Sequence, residues 1–357
     1  MKYQRVCLDT IGYELAPVVV TSGEIEDRLA SLYSALRIQP GQLEALTGIV
    51  ERRFWEPGFA VSKGAAIAAS TALTQSQVPA EAIEMLIYAG VCREEFEPAT
   101  ACHVAAAMAQ NGHELKPTTA IYDVSNACLG MLNGMMEIAN RIELGQLSAG
   151  MVVSCESARD IVDVTIERML RERDMNIFKS GLATMTGGSA AAAIILTDGS
   201  FGAGRQPRLH GGVTMSDPRH HNLCRWGMEE QPGPHLANGE ITYRQYMITD
   251  SVAVMENGIE LGQRTWQAFL GELGWSGVDR TICHQVGSGH RDSILKLLEL
   301  SPEHDFVAYE HLGNTGTVAL PLSAALAAER EFLLPGHRVG LLGIGSGLNC
   351  MMLGVEW

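Results

Sequence analysis

The chain has 357 residues, 46% of them apolar and 19% charged, with a formal net charge of −15. That length and apolar share support a large packed core and exclude a disordered chain. The negative balance argues against a general nucleic-acid binder or an anionic-membrane binder, because phosphates and lipid headgroups would be repelled; Arg52 and Arg53 in "VERRFW" form a local basic candidate.

The N-terminal stretch "MKYQRVCLDTIGYEL" has no apolar signal core. No segment approaches the roughly 20 apolar residues a membrane helix needs. The eight cysteines are scattered without a C-x-x-C pair, a pattern that fits free thiols in a reducing cytoplasm. In chain order, "AEAIEMLIYAGVC" predicts a helix end and a buried strand, and "TACHVAAAMAQNG" a helix. The strand "TAIYDVS" leads into a helix from Leu129, and "AGMVVSCES" is a further strand. "AAAAIIL" reads as a strand or a short buried element. Beyond residue 200, "RTICHQV" predicts a strand, "HRDSILKLLEL" a helix, "DFVAYEHLG" a strand, "PLSAALAAEREF" a helix and "HRVGLLGIGSG" a strand. Short apolar runs alternating with helices indicate buried strands in α/β layers. Two similar halves are expected, residues 1–200 and 201–357.

The repeat draws attention to three strand ends: Cys128 in "DVSNACLG", His284 in "TICHQV" and Asn314 in "EHLGNTG". Ligands of open α/β sheets bind at the carboxyl ends of strands. A cysteine at a helix start is expected to have a lowered pKa and, as thiolate, to take an acyl group from a thioester. A neutral histidine and an asparagine amide can donate to the enolate oxygen of a second thioester. A backbone N–H from "LGIGSGLN" can serve the oxyanion formed at the first acyl group. Each feature alone has a plainer reading: a structural cysteine, a satisfied core histidine, a turn asparagine between glycines. Their order on a repeated frame favours the joint reading.

These motifs resemble the thiolase superfamily in its ketoacyl synthase III branch. "TGIVERR" (Thr47–Arg53), "EPATAC" (Glu97–Cys102), "DVSNACLG", "CHQV", "GNTGTVALP" and "GIGSGLN" carry the resemblance over nearly the whole chain. It implies an α/β thiolase fold layered α-β-α-β-α, and a cytoplasmic homodimer using coenzyme A thioesters as substrates, without a metal or cofactor. It also implies Cys128 as the acyl-accepting nucleophile, His284 and Asn314 as the enolate-stabilising pair, and the N–H groups of Cys128 and Gly347 as the oxyanion hole. Arg53 and Arg291 are its substrate-binding candidates, although Gly289 holds the place of the family's carrier-docking arginine and Arg291 is out of register.

Departures narrow the branch. Gly343 stands where a thiolase has its second cysteine, so that proton shuttle is lost. Gln42 and Leu46 stand where ketoacyl synthase III enzymes clamp adenine with tryptophan and arginine. Where those enzymes often place a phenylalanine that reaches into the partner's acyl pocket, before Pro98, the chain has Glu97. Decarboxylative condensation needs no base, whereas joining two plain acyl thioesters must remove an α-proton. Glu97 in an apolar channel, with a raised pKa, would be that base; its plainer reading is an acidic surface loop with Glu94 and Glu95. The pattern, with "GGVTMSDPRHHNLCRWG", is similar to the OleA type, which joins two fatty acyl-CoAs head to head. The alternatives are a ketoacyl synthase III using malonyl-acyl carrier protein, with acyl carrier protein as partner, and an acyl-holding or acyl-transfer subunit that forms no carbon–carbon bond. His210, His220, His221 and Cys224 lack metal-site spacing.

Overall fold

A computed structural model describes residues 1–202, 204, 206–232 and 241–357. Its strands, in chain order, are β1 Cys7–Leu15, β2 Val18–Thr21, β3 Glu51–Phe54, β4 Met85–Ala89, β5 Ala120–Val124, β6 Ala149–Glu156, β7 Ala190–Thr197, β8 Arg208–Ser216, β9 Cys224–Pro232, β10 Ile241–Thr249, β11 Arg280–Cys283, β12 Arg338–Gly345 and β13 Asn349–Glu356. Nine form one sheet in the order β11-β12-β13-β8-β1-β7-β6-β4-β5. On one side β5, β4 and β6 run parallel, with β7 and β1 antiparallel beyond them. The other side repeats the scheme: β11 is parallel to β12, and β13 and β8 follow antiparallel. The two sides meet at a narrow seam, where Cys7 of β1 pairs with Arg208 of β8.

Side-chain alternation along the strands builds the layers. Ile87, Val152 and Ile194 face inward onto Leu132, Met135 and Ile138 of helix Gly130–Glu143. Their neighbours Leu86, Met151, Val153 and Ile195 face outward onto Ala65 and Ala69 of helix Val61–Gln75 and Val104 of helix Thr100–Gln110. The second side does the same. Leu341 and Leu353 face inward with Leu320 and Ala324 of helix Ala319–Glu329, while Leu342 and Met352 face outward onto Leu261 and Phe269 of helix Ser251–Leu273. The expected α-β-α-β-α layering is therefore present, with helices Gly130–Glu143 and Ala319–Glu329 as its central layer.

One expected strand is absent. "DFVAYEHLG" contributes only a parallel bridge, Asp305 to Thr281, and then a single helical turn, Tyr309–Leu312. The Asp305 carboxylate occupies the edge of β11, accepting the Cys283 N–H at 3.2 Å and the Thr281 hydroxyl at 3.0 Å. A side chain thus serves a donor that a fifth strand would have paired. No helix among the described residues is long and apolar enough to cross a membrane.

Candidate active site

Asp123 and Asn126 of "DVSNACLG" are structural ties around the cysteine. Asp123 accepts the N–H groups of Thr100 and Ala101, each at 2.9 Å, serving orphan donors at the start of helix Thr100–Gln110. The Asn126 amide donates to Asn133 Oδ1 at 2.7 Å, and its Oδ1 accepts from Asn349 Nδ2 at 3.1 Å. That second bond joins the cysteine loop to the first residue of β13, just past the glycine-rich turn. Ala127 has a left-handed φ of 45° and turns the chain into Cys128.

The expected lowering of the Cys128 pKa is overturned: burial pushes the thiol up to about 12, with the fields of Cys224 and Glu156 adding to it. The helix begins only at Gly130, with Leu129 as its N-cap residue. Cys128 therefore precedes the first turn, where the dipole acts, and desolvation wins. At rest the Cys128 side chain is therefore a thiol.

His284 and Asn314 are brought to the same region by backbone ties. The His284 N–H donates to Leu342 O of β12 at 2.9 Å. Three residues on, a side chain at Gly345 would stand 3.5 Å from the Cys128 nitrogen. At Gly343 a β-carbon would come within 2.6 Å of Leu129 and 2.9 Å of Leu132, so the second cysteine of a thiolase would fit only if these leucine methyls shifted. His284 is buried, and burial, reinforced by the field of His290, pushes its pKa down to about 3, leaving a neutral imidazole. Its Nδ1 is buried without a partner. Because buried orphan N–H groups are rarer than under-satisfied acceptors, we assign the proton to Nε2. Asn314 is strapped by its N–H to Thr186 O at 2.8 Å and by Gly188 N–H to its own carbonyl at 2.9 Å. Its Oδ1 accepts the Gly316 N–H at 3.0 Å, which fixes the amide flip and leaves the NH2 group as the free donor. The same turn reaches the cysteine helix, where Met131 N–H donates to Thr317 Oγ1 at 2.7 Å.

The remaining candidates lie apart. Glu97 is exposed and has no partner among the described residues, beside Phe96, which is 96% exposed. The expected apolar channel around Glu97 is therefore not formed within the single chain. Glu94 and Glu95 do anchor the loop locally, through Ser62 N–H at 3.1 Å and His103 at 3.6 Å. Arg291 is held by its own chain: Nε pairs with Asp305 Oδ2 at 2.7 Å, and an Nη donates to the Pro302 carbonyl at 2.8 Å. Arg53 is half-buried on β3 and donates to Ala16 O at 3.2 Å. Arg52 is fully buried, so "VERRFW" is no surface basic patch. His210 approaches Glu356, His220 approaches Asp217, and Cys224 Sγ accepts from Thr249. Among the described residues no three His, Cys, Asp or Glu side chains converge on a metal position.

Residues 271–357 match the family described as 3-oxoacyl-[acyl-carrier-protein (ACP)] synthase III C terminal. The whole chain is 52% identical, over 361 residues and the full length of both proteins, to an acyl-CoA:acyl-CoA alkyltransferase of Shewanella oneidensis. The chain belongs to the acyl-CoA:acyl-CoA alkyltransferase (OleA) family. A crystal structure of cerulenin-bound Xanthomonas campestris OleA superposes with a TM-score of 0.90 at 32% identity, covering 100% of this chain and 98% of that one. A cysteine-to-serine variant of that protein, with bound lauric acid and lauroyl-CoA, superposes with a TM-score of 0.88 at 31% identity over 99% and 100% of the two chains. The thiolase fold and the condensing-acyltransferase class expected from the motifs are thereby borne out.

This OleA-family chain also places ionisable residues near these motifs that the motifs did not reveal. Glu156 lies buried at the end of β6, where "VVSCES" reads as an ordinary strand terminus. Asp305 braces the turn after His284. His290, near enough to act on His284, has its own pKa pushed down to about 4 by burial. The only signal was a charged or polar residue beside a catalytic motif, which is weak without a third dimension.

Proposed function

We propose that the enzyme condenses two fatty acyl-CoAs head to head, without loss of carbon dioxide, to a 2-alkyl-3-ketoacyl-CoA. Cys128 Sγ attacks the first acyl-CoA; the acyl group passes to sulfur and the thiol proton leaves with coenzyme A. The Glu97 carboxylate takes an α-proton from the second acyl-CoA. The resulting enolate oxygen accepts hydrogen bonds from His284 Nε2–H and the Asn314 amide, and the α-carbon attacks the acyl-Cys128 carbonyl. The N–H groups of Cys128 and Gly347 hold the oxyanion. Collapse expels the Cys128 thiolate, which regains the proton held by Glu97. Coenzyme A enters as part of the substrate. The observation that carries this reading is the pairing of a neutral, buried His284 with an Asn314 amide whose flip is fixed, two donors suited to an enolate. The lauroyl-CoA bound by the Xanthomonas relative supports a fatty acyl-CoA of medium chain length.

Glu97 is supplied, on this reading, by a second copy of the chain, with the two halves 1–200 and 201–357 forming each subunit. Two features support the dimer. Phe96 offers a whole aromatic ring to water beside Glu97, and β5 ends the sheet with an unpaired edge. Arg53 is the remaining candidate for substrate binding.

The test is incubation with acyl-CoA alone, then with malonyl-acyl carrier protein, read by mass spectrometry. The account expects an acyl mass on Cys128 and an acyl–acyl product from the first incubation. Product only after malonyl addition would move the enzyme to the ketoacyl synthase III reaction. Acyl-Cys128 with no carbon–carbon product in either case would make it an acyl-holding subunit.

A further inference from the structure

Glu156 is a buried carboxylate, 5% exposed, and among the described residues no cation acts on it. Burying an unpaired carboxylate is costly, and here backbone donors offset it. Oε1 accepts the Val91 N–H at 3.0 Å and Oε2 the Cys92 N–H at 3.2 Å; Thr317 supplies a further backbone hydrogen bond. The side chain lies directly on the Asn314 turn: a β-carbon at Gly316 would come 3.3 Å from Glu156 Cγ and 3.6 Å from Oε1. Gly316 is the residue whose N–H fixes the Asn314 amide. Val91 and Cys92 are the root of the loop that ends at Glu97. The titratable groups around Glu156 are Tyr88, Cys92, Cys155 and Cys128.

We propose that Glu156 is a positioning residue for condensation: by gripping the Val91–Cys92 backbone on its two oxygens and the Asn314–Thr317 turn against its stem, it sets the root of the Glu97 loop and the Asn314 amide relative to Cys128. The inference rests on the roles assigned above to Asn314 and Glu97. Because the Glu97 loop is sent to the partner subunit, the same carboxylate ties the enolate site of one subunit to the base delivered to the other. Its charge also helps keep the Cys128 proton in place.

Glu156→Gln tests this directly. An amide has one acceptor oxygen, so its NH2 group must face either the Val91 or the Cys92 donor. Acylation of Cys128 is expected within a few-fold of wild type. Condensation and α-deuterium exchange should fall about 100-fold, the scale of a misplacement of about 1 Å. The pH profile of Cys128 alkylation by iodoacetamide should move to lower pH, since a negative neighbour is gone. Glu156→Asp, which keeps the charge, should lose condensation while leaving that profile near wild type, and it carries the test where the glutamine variant does not fold. Wild-type condensation in either variant overturns the proposal, as does a parallel loss of acylation and condensation with an unmoved alkylation profile. Glu97→Gln run alongside separates the two claims. Full condensation by Glu97→Gln with an impaired Glu156→Gln retires the base and leaves Glu156 acting through Asn314. A dead Glu97→Gln with a fully active Glu156→Gln retires Glu156 alone.

Discussion

Cys128 lies under Gly345, within a frame closed by the Asn126–Asn349 bond, the Thr317 hydroxyl and the Glu156 carboxylate; Glu97, in the loop proposed to carry the base, stands in solvent next to a fully presented phenylalanine. The first region satisfies its polar groups from distant parts of one chain. The second leaves an apolar ring and a carboxylate unmet. The contrast teaches where the chemistry divides. On the proposed reading, the groups that hold the acyl chain and the enolate lie within one subunit, and the base that makes the enolate comes from a second.

Removing a donor from the closed region sharpens that division most. His284→Ala or Asn314→Ala should leave acylation of Cys128 largely intact and slow condensation by about 100- to 1,000-fold, roughly 3–4 kcal/mol. Burst measurements of coenzyme A release against product formation check this; an equal fall in both steps would show that the division is misplaced.

Arg291→Ala tests the frame rather than the chemistry. The Asp305 side chain is fully buried and Arg291 only 13% exposed, so truncation strands a buried charge and should cost about 3–5 kcal/mol of stability. Denaturant melts would detect it. A variant as stable as wild type but weakened in acyl-CoA affinity would return Arg291 to substrate binding.

The smallest effect is a pH slope. The His284 pKa falls from 6.5 in the unfolded chain to about 3 in the folded one. The unfolded state therefore binds the extra proton between these values. This contribution is intact above pH 6.5 and is lost as the pH falls toward 3, at up to about 1.4 kcal/mol per pH unit. Melting temperatures between pH 7.5 and 5 should fall less steeply for His284→Asn than for wild type; equal slopes would argue that His284 is not held neutral by burial.

The central strands and the helices flanking them were legible in the sequence because their apolar runs are buried on both faces, as in "AEAIEMLIYAGVC" and "AGMVVSCES". The first strand, "CLDTIGYEL", was not: Asp9, Thr10 and Gly12 interrupt any apolar run, and its place at the seam comes from pairing with β7 and β8. "DFVAYEHLG" misled because its apolar residues pack without forming a ladder, while Asp305 serves the neighbouring edge. Cys128, His284 and Asn314 stood out as candidates because strand ends and glycines surround them. The Cys128 pKa was not, since helix position argues for a thiolate and only packing reveals the burial that opposes it. Arg291 was placed by its nearness to the histidine motif, and Asp305, which claims it, follows fourteen residues later.

The decisive measurement is complementation between two inactive subunits. Cys128→Ala and Glu97→Gln enzymes, each unable to condense, would be mixed, allowed to exchange subunits, and assayed for 2-alkyl-3-ketoacyl-CoA from acyl-CoA alone. If Glu97 acts across the interface, each mixed dimer has one complete site, with Cys128 from one subunit and Glu97 from the other. Random reassortment makes about half the dimers mixed, so roughly a quarter of wild-type activity should return. No activity above the separate mutants, with subunit exchange shown by native mass spectrometry, would contradict the account and place the base within the chain that carries the acyl group.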